Sequence, residues 1–215
     1  MANDSTTGFG FRTSMTLGNT PATSGQSEYK IKSGLGVGIF QNNPVSLQDS
    51  SGDQGYLQDA SFATTDDTGT GGASYTNASH ALMVGVFNGA FYIDNSTSKP
   101  TFANSVAAST TFGTDYNTGS SDGIGFVNDN PQQEYVCKAD DAVAQTAIGT
   151  VFNCNNFTAS DAKSGQSTVT LDITSAAETK MFRVVGSANE IGNDDMASAG
   201  VNVRVAWNSA SNLYQ

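Results

Sequence analysis

The sequence predicts a mainly β fold: an antiparallel sandwich or barrel with one short helix and an extended N-terminal arm. Three observations lead there. Apolar residues alternate with polar ones in several short runs, the period of a half-buried strand, most clearly at Val201, Val203, Val205 and Trp207. Turn formers are dense: Ser, Thr and Asn make up 68 of 215 residues and Gly adds 23, so the strands are interrupted at short intervals. No run carries the long 3.6-residue periodicity of an amphipathic helix.

The elements follow in chain order. Residues 1–25 are small and polar, punctuated by Phe9, Phe11, Met15 and Leu17. They hold too little apolar area to order alone, so they read as an arm laid on the body or on a partner, and spaced aromatic anchors favour the partner. Residues 26–215 form the β-rich body, either as one unit or as two lobes dividing near 122–140. Glu28 to Lys32 alternates. Leu35 to Phe40 and Val45 to Leu47 are strands parted by Asn42-Asn43-Pro44. The glycines of Gly34-Leu35-Gly36-Val37-Gly38 resemble a nucleotide loop only superficially. A dinucleotide fingerprint opens a helix at its last glycine, whereas Ile39-Phe40 and then Asn-Asn-Pro follow here, so these glycines read as close backbone packing.

Residues 48–80 read as loop, broken by Asp66-Asp67-Thr68-Gly69 and Gly71-Gly72. Ala81 to Phe87, Asn88-Gly89 and Ala90 to Ile93 form the best hairpin signal, since Asn-Gly suits a type I′ turn. Residues 94–122 return to polar loop around Phe102, Val106, Phe112 and Tyr116. A short helix is predicted from Asp140 to Ile148, capped by Asp140 or Asp141 and stopped by Gly149. Val169 to Ile173, Met181 to Val185 and Val201 to Trp207 are the strongest strands, with Val203 in the core and Trp207 at the end of the buried face.

Composition narrows the function. A chain of this length buries about 70% of its unfolded surface and needs no metal or disulfide staple. Charged residues are 13%, against an ordinary ~25%, and the formal net charge is −11. Such a surface repels phosphate backbones and anionic lipid, so neither nucleic acid nor membrane is expected as a partner. No stretch approaches the ~18 apolar residues of a membrane span. Residues 1–20 lack a basic start and an apolar run, so synthesis in a cytoplasm without export is expected. Cys137 and Cys154 read as buried free thiols. The Asn-x-Ser/Thr triplets at Asn3, Asn77, Asn95 and Asn156 are what chance yields with so many hydroxyl residues.

The chemistry of catalysis is scarce. His80 is the sole imidazole and sits at a strand start, where a hydrolase triad would depend on it alone. One histidine and two cysteines 17 positions apart supply no zinc ligand set. Calcium would favour the turns at Asp66-Asp67, Asn128-Asp129-Asn130, Asp140-Asp141 and Asn193-Asp194-Asp195. None has the twelve-residue calcium-loop spacing, and Asp and Asn favour turns on their own account. The expectation is no catalytic residue, no cofactor and no metal.

Several stretches carry a likeness: Gly10-Phe11-Arg12, Glu28-Tyr29-Lys30-Ile31, Ile39-Phe40-Gln41-Asn42-Asn43-Pro44-Val45, Asp129-Asn130-Pro131-Gln132-Gln133-Glu134-Tyr135-Val136, Val143-Ala144-Gln145-Thr146-Ala147-Ile148-Gly149 and Phe182-Arg183-Val184-Val185-Gly186. In this order they resemble the head decoration (cement) proteins of tailed bacteriophages of the marine and cyanobacterial type. Thr13 departs from the proline that often follows Gly-Phe-Arg there. The resemblance implies a non-enzymatic virion protein, made in the host cytoplasm, that binds the capsid exterior and stabilises the head. Its partners would be the major capsid protein and copies of itself; the spaced anchors of the N-terminal arm make Phe9, Phe11 and Arg12 the expected capsid contacts. The alternatives are another virion part, such as a tail or head fibre, and a carbohydrate-binding β-sandwich.

Overall fold

Strands carry nearly all the regular structure, and their alternation assigns inside and outside. The computed structural model describes residues 3–18, 20–22, 25–48, 53–60, 83–156, 160–161, 163–174, 176, 180–209 and 212–214. The strands are β1 (Arg12–Thr16), β2 (Thr20–Pro21), β3 (Ser27–Ile31), β4 (Ile39–Phe40), β5 (Pro44–Leu47), β6 (Leu57–Asp59), β7 (Met83–Ile93), β8 (Pro100–Ala103) and β9 (Ser105–Val106). They continue with β10 (Gly123–Asn128), β11 (Gln133–Lys138), β12 (Val151–Asn155), β13 (Ser160–Asp161), β14 (Gln166–Ser167), β15 (Thr170–Asp172), β16 (Phe182–Ser187) and β17 (Asn202–Trp207).

Two antiparallel sheets dominate. One has seven strands in the order β15-β12-β16-β17-β11-β1-β2. The other has six, β3-β10-β7-β5-β6, with β8 added along the far half of β7. Two small ladders, β4-β9 and β13-β14, complete the set. The chain passes from the smaller sheet to the larger between β10 and β11, while β1 and β2 return the N-terminal segment to the larger sheet.

The seven-stranded sheet curls until Ala139 bridges Leu171, with the Asp140 amide donating to the Leu171 carbonyl at 3.0 Å. One bridge does not close it, so the fold is a sandwich and not a barrel. Period two places Tyr135, Cys137, Phe152, Cys154, Leu171, Phe182, Val184, Val203, Val205 and Trp207 on the inner face, where Met83 and Val86 of the other sheet meet them. Phe182 stacks between Phe11 and Trp207, with both ring centroids 4.3 Å away. The buried Tyr135 hydroxyl donates to Asn128 of β10 at 3.2 Å and accepts from the Trp207 indole at 3.3 Å, which ties the two sheets polar group to polar group. Burial raises the thiol pKa of both Cys137 and Cys154, and both are free.

The six-stranded sheet has a second core on its opposite face. Ile31, Val45, Phe87, Ala90 and Val127 pack there under Leu35, Ile39, Val106 and Phe112. The first half of β7 is therefore buried on both sides, which accounts for its unbroken apolar run.

Four expectations need correction. Asn88-Gly89 is not a turn: β7 runs straight through it for 11 residues. Phe126 pairs with Gly89 and Val127 with Phe87, so Asn88 is the extra residue of a β-bulge, and neither Asn88 nor Gly89 takes positive φ. The reversal lies at Asp94 to Lys99, where the Asp94 carboxylate accepts from the Ser96 and Thr97 amides and the chain returns as β8 inside the expected loop. The helix at Asp140 to Ile148 reduces to one turn of 3-10 helix at Gln145–Ala147. Asp140 does not cap it, because its carboxylate accepts from the Asn155 side chain and the Ile173 amide. The segment 48–80 contains β6.

The fourth correction concerns the arm. Residues 12–16 are a strand of the larger sheet, paired with β11, and Phe11 is fully buried. The segment orders on its own body because Phe182 and Trp207 provide an aromatic slot that composition does not reveal. His80, Asp66-Asp67 and the start of the expected strand at Ala81 lie outside the described residues.

Candidate functional site

The three residues expected at a contact surface separate in the fold. Phe11 enters the core. Phe9 stays half-buried and Arg12 is exposed, with the guanidinium 5.2 Å from the centre of the Phe9 ring. What divides them is the backbone at Gly10, whose φ of +75° turns the chain between Phe9 and Phe11. A side chain at Gly10 would also strike Asn42, whose carbonyl accepts from the Phe11 amide at 2.9 Å.

Before Gly10 the chain is held by the loop that precedes β17. Asn3 donates from its side chain to the carbonyls of Asp195, Ser198 and Ala199 and accepts from the Asp195 amide. The Asp4 amide donates to Gly192. Beneath this clasp lies Lys138, 2% exposed, which donates to the carbonyls of Ser5 and Gly200 and to the Asn193 side chain at 2.8 to 3.1 Å. Burial lowers its pKa, and the nearby carboxylates of Glu190 and Asp4 oppose that shift. Its ammonium is 6.0 Å from the Phe9 ring centre, so two cations approach one aromatic ring.

Arg12 pairs with Glu190, whose other oxygen accepts from the Asn202 side chain at 2.6 Å. Next to Glu190, Ile191 is 98% exposed. Phe9, Arg12, Glu190 and Ile191 thus form one surface: an aromatic edge, an ion pair and a bare aliphatic side chain, positioned by Gly10 and the Lys138 clasp. Sequence reading names Phe9 and Arg12 but misses Glu190, Ile191 and Lys138. Nothing local marks these, since they reach the site through tertiary pairing.

On its other side Arg12 borders a cavity of about 330 Å³ lined by Thr13, Gln26, Gln41, Asn42, Val86, Phe87, Asn88 and Asn128. Its carboxamides are partly engaged with each other and with the backbone: Gln41 donates to Asn88, and Asn42 to the Phe9 carbonyl. The oxygen-rich turns are similarly engaged. Asp129 accepts from the Tyr29 hydroxyl, Asn130 from the Gln132 amide, Asp141 from the Ala142 amide and Asp195 from the Ala197 amide. Among the described residues no three or more His, Cys, Asp or Glu side chains gather in a way that could hold a metal ion.

Comparison of the chain with protein-family models, with characterised proteins and with solved structures finds no match.

Proposed function

We propose that this protein decorates the outer surface of a phage head, attaching through the Phe9–Arg12–Ile191 surface and reinforcing the shell. The observation that carries the reading is that surface itself. A nearly fully exposed isoleucine stands beside a cation stacked on an aromatic ring, on a body with few charges and abundant neutral hydrogen-bonding groups. Protein contact surfaces combine aromatic and Arg anchors with a polar rim in this way. The net charge of −11 suits a position outside the shell, away from packaged DNA. The clasp at Asn3 and Lys138 holds the surface rigid, so attachment needs little further ordering.

Co-sedimentation tests it. Wild-type protein added to particles that lack it pellets with them, and Ile191→Asp loses attachment by about tenfold or more while its melting temperature is unchanged. Ile191 touches no core, so a binding loss is not a folding loss. Attachment of Ile191→Asp at the wild-type level would remove this surface from the contact.

A further inference from the structure

The cavity beside Arg12 opens where the shared core of the two sheets ends. Val86 is the last residue of β7 in that core, and it lines the cavity together with Asn128 of β10 and Thr13 of β1. A hydrogen-bond relay runs from the core to the cavity. The Trp207 indole donates to the Tyr135 hydroxyl at 3.3 Å, and that hydroxyl donates to the Asn128 side-chain oxygen at 3.2 Å. With its oxygen held on the core side, Asn128 presents its amide nitrogen to the cavity. The residue is 3% exposed, and this nitrogen has no partner among the described residues.

A second pair of carboxamides stands nearby. Gln41 donates to the Asn88 side-chain oxygen at 3.1 Å. That bond leaves the Asn88 amide nitrogen and the Gln41 oxygen without partners among the described residues, one a donor and the other an acceptor. No carboxylate lines the cavity among the described residues, and its one charge, on Arg12, is already paired with Glu190. One wall continues as aromatic surface. Phe126 lies two residues before Asn128 on β10, on the same face of the strand. Opposite it is Gly89, which has no side chain to cover the ring. Phe126 is partly exposed and joins neither core.

We infer that this site binds a neutral sugar, a hexopyranoside seated in the cavity with its C–H face towards Phe126. Each sugar hydroxyl both donates and accepts, so two vicinal hydroxyls match the free nitrogen of Asn88 beside the free oxygen of Gln41. The Asn128 nitrogen takes a third oxygen, and because the relay already fixes it, little freedom is lost on binding. The C–H face of a pyranose covers an aromatic ring while the hydroxyls on its rim keep their hydrogen bonds. At about 330 Å³ the cavity is at the small end of the ~300–1,000 Å³ of ligand pockets, which suits a sugar unit better than a large cofactor. The neutral lining and the net charge of −11 disfavour an anionic ligand. The inference goes beyond attachment to a shell and does not rest on it.

Nuclear magnetic resonance titration of the isotope-labelled full chain tests it without particles. The probes are lactose, cellobiose, maltose and methyl α-mannoside, and the readout is the side-chain amide signals. At least one of these neutral sugars is expected to bind saturably and to move the signals of Asn128, Asn88 and Gln41. Asn88→Ala and Gln41→Ala each weaken that binding about threefold to tenfold, the loss of one hydrogen bond, and Phe126→Ala weakens it similarly. Circular dichroism checks the fold of each variant. Asn88 is exposed, so its variant stays informative if Phe126→Ala fails to fold. Sialyllactose, which adds a carboxylate to lactose, binds no more tightly than lactose. The inference is overturned if none of the four neutral sugars moves these signals, or if binding is indifferent to both Asn88→Ala and Gln41→Ala. Tighter binding of sialyllactose than of every neutral sugar would mark Arg12 as an anion site and likewise defeat it.

Discussion

Two sheet faces are covered in opposite ways: the outer face of the seven-stranded sheet, and the sandwich-side face of the six-stranded sheet where β7 and β10 run on beyond Asn88 and Asn128. On the seven-stranded sheet, four of the six positions on β11 and β17 that alternate with core residues are polar, Glu134, Lys138, Asn202 and Arg204, with Val136 and Ala206 among them. Glu134, Lys138 and Asn202 are nonetheless buried, and residues 3–9 and the loop before β17 supply the partners of Lys138 and Asn202. Arg204 reaches Glu134 at 3.3 Å and adds a bond to the Ser187 carbonyl. On the six-stranded sheet the sandwich-side face continues past Asn88 with Phe91, Phe102, Ile124 and Phe126, which belong to neither core. Polar groups lie under the chain's own backbone, and aromatic ones lie outside both cores. Burying charge is tolerable where backbone carbonyls accept from it, and exposing aromatic area is tolerable where another molecule covers it. The difference separates a face completed by the chain's own N-terminal segment and loop from a face that neither core covers.

Substitutions can break this comparison. The largest effect belongs to the core that supports the covered face. Phe182→Ala removes the ring between Phe11 and Trp207 and is expected to cost about 3–5 kcal/mol in urea unfolding. It should also release the N-terminal segment, read as faster amide exchange at residues 3–11. A smaller loss, with no change in exchange, would mean that the segment is held by its polar clasp alone. Lys138→Ala comes next. It leaves the Ser5 and Gly200 carbonyls without their buried donor and is expected to cost about 2–3 kcal/mol. Phe102→Ser on the bare face is the smallest, within about 0.5 kcal/mol of wild type under monomeric conditions. A Phe102→Ser cost rivalling that of Lys138→Ala would show that the face carrying Phe91 and Phe102 is part of the fold's own packing, and the contrast between the faces would fail.

Local pattern carried the later strands well. Val201 to Trp207 alternates, and β17 buries Val203 and Val205 completely, because inside and outside are settled by a period of two within the strand itself. Asn88-Gly89 was ambiguous for a physical reason. The same pair suits a tight turn or a bulge, and the choice rests with β10, which pairs on both sides of it. The 3-10 turn replaced a helix because Asp140 finds Asn155 and Ile173, partners that no reading of residues 140–148 alone can supply. Phe11 reads outward because its neighbours are polar, while the rings that receive it come from β16 and β17 near the other end of the chain. At the candidate surface the same limit applies. Phe9 and Arg12 stand out as anchors in a polar segment, whereas Glu190 and Ile191 acquire their meaning only when the loop before β17 closes over that segment.

The proposed reinforcement of a shell from outside is tested most directly by the temperature at which particles release DNA. Particles lacking the protein should release DNA at lower temperature than complete ones, and adding back purified wild-type protein should restore the higher value. Moderate salt should leave that restoration intact, since contact through shape and neutral hydrogen bonds is screened less than contact through charge. An identical release temperature for bare, complete and reconstituted particles would contradict the claim.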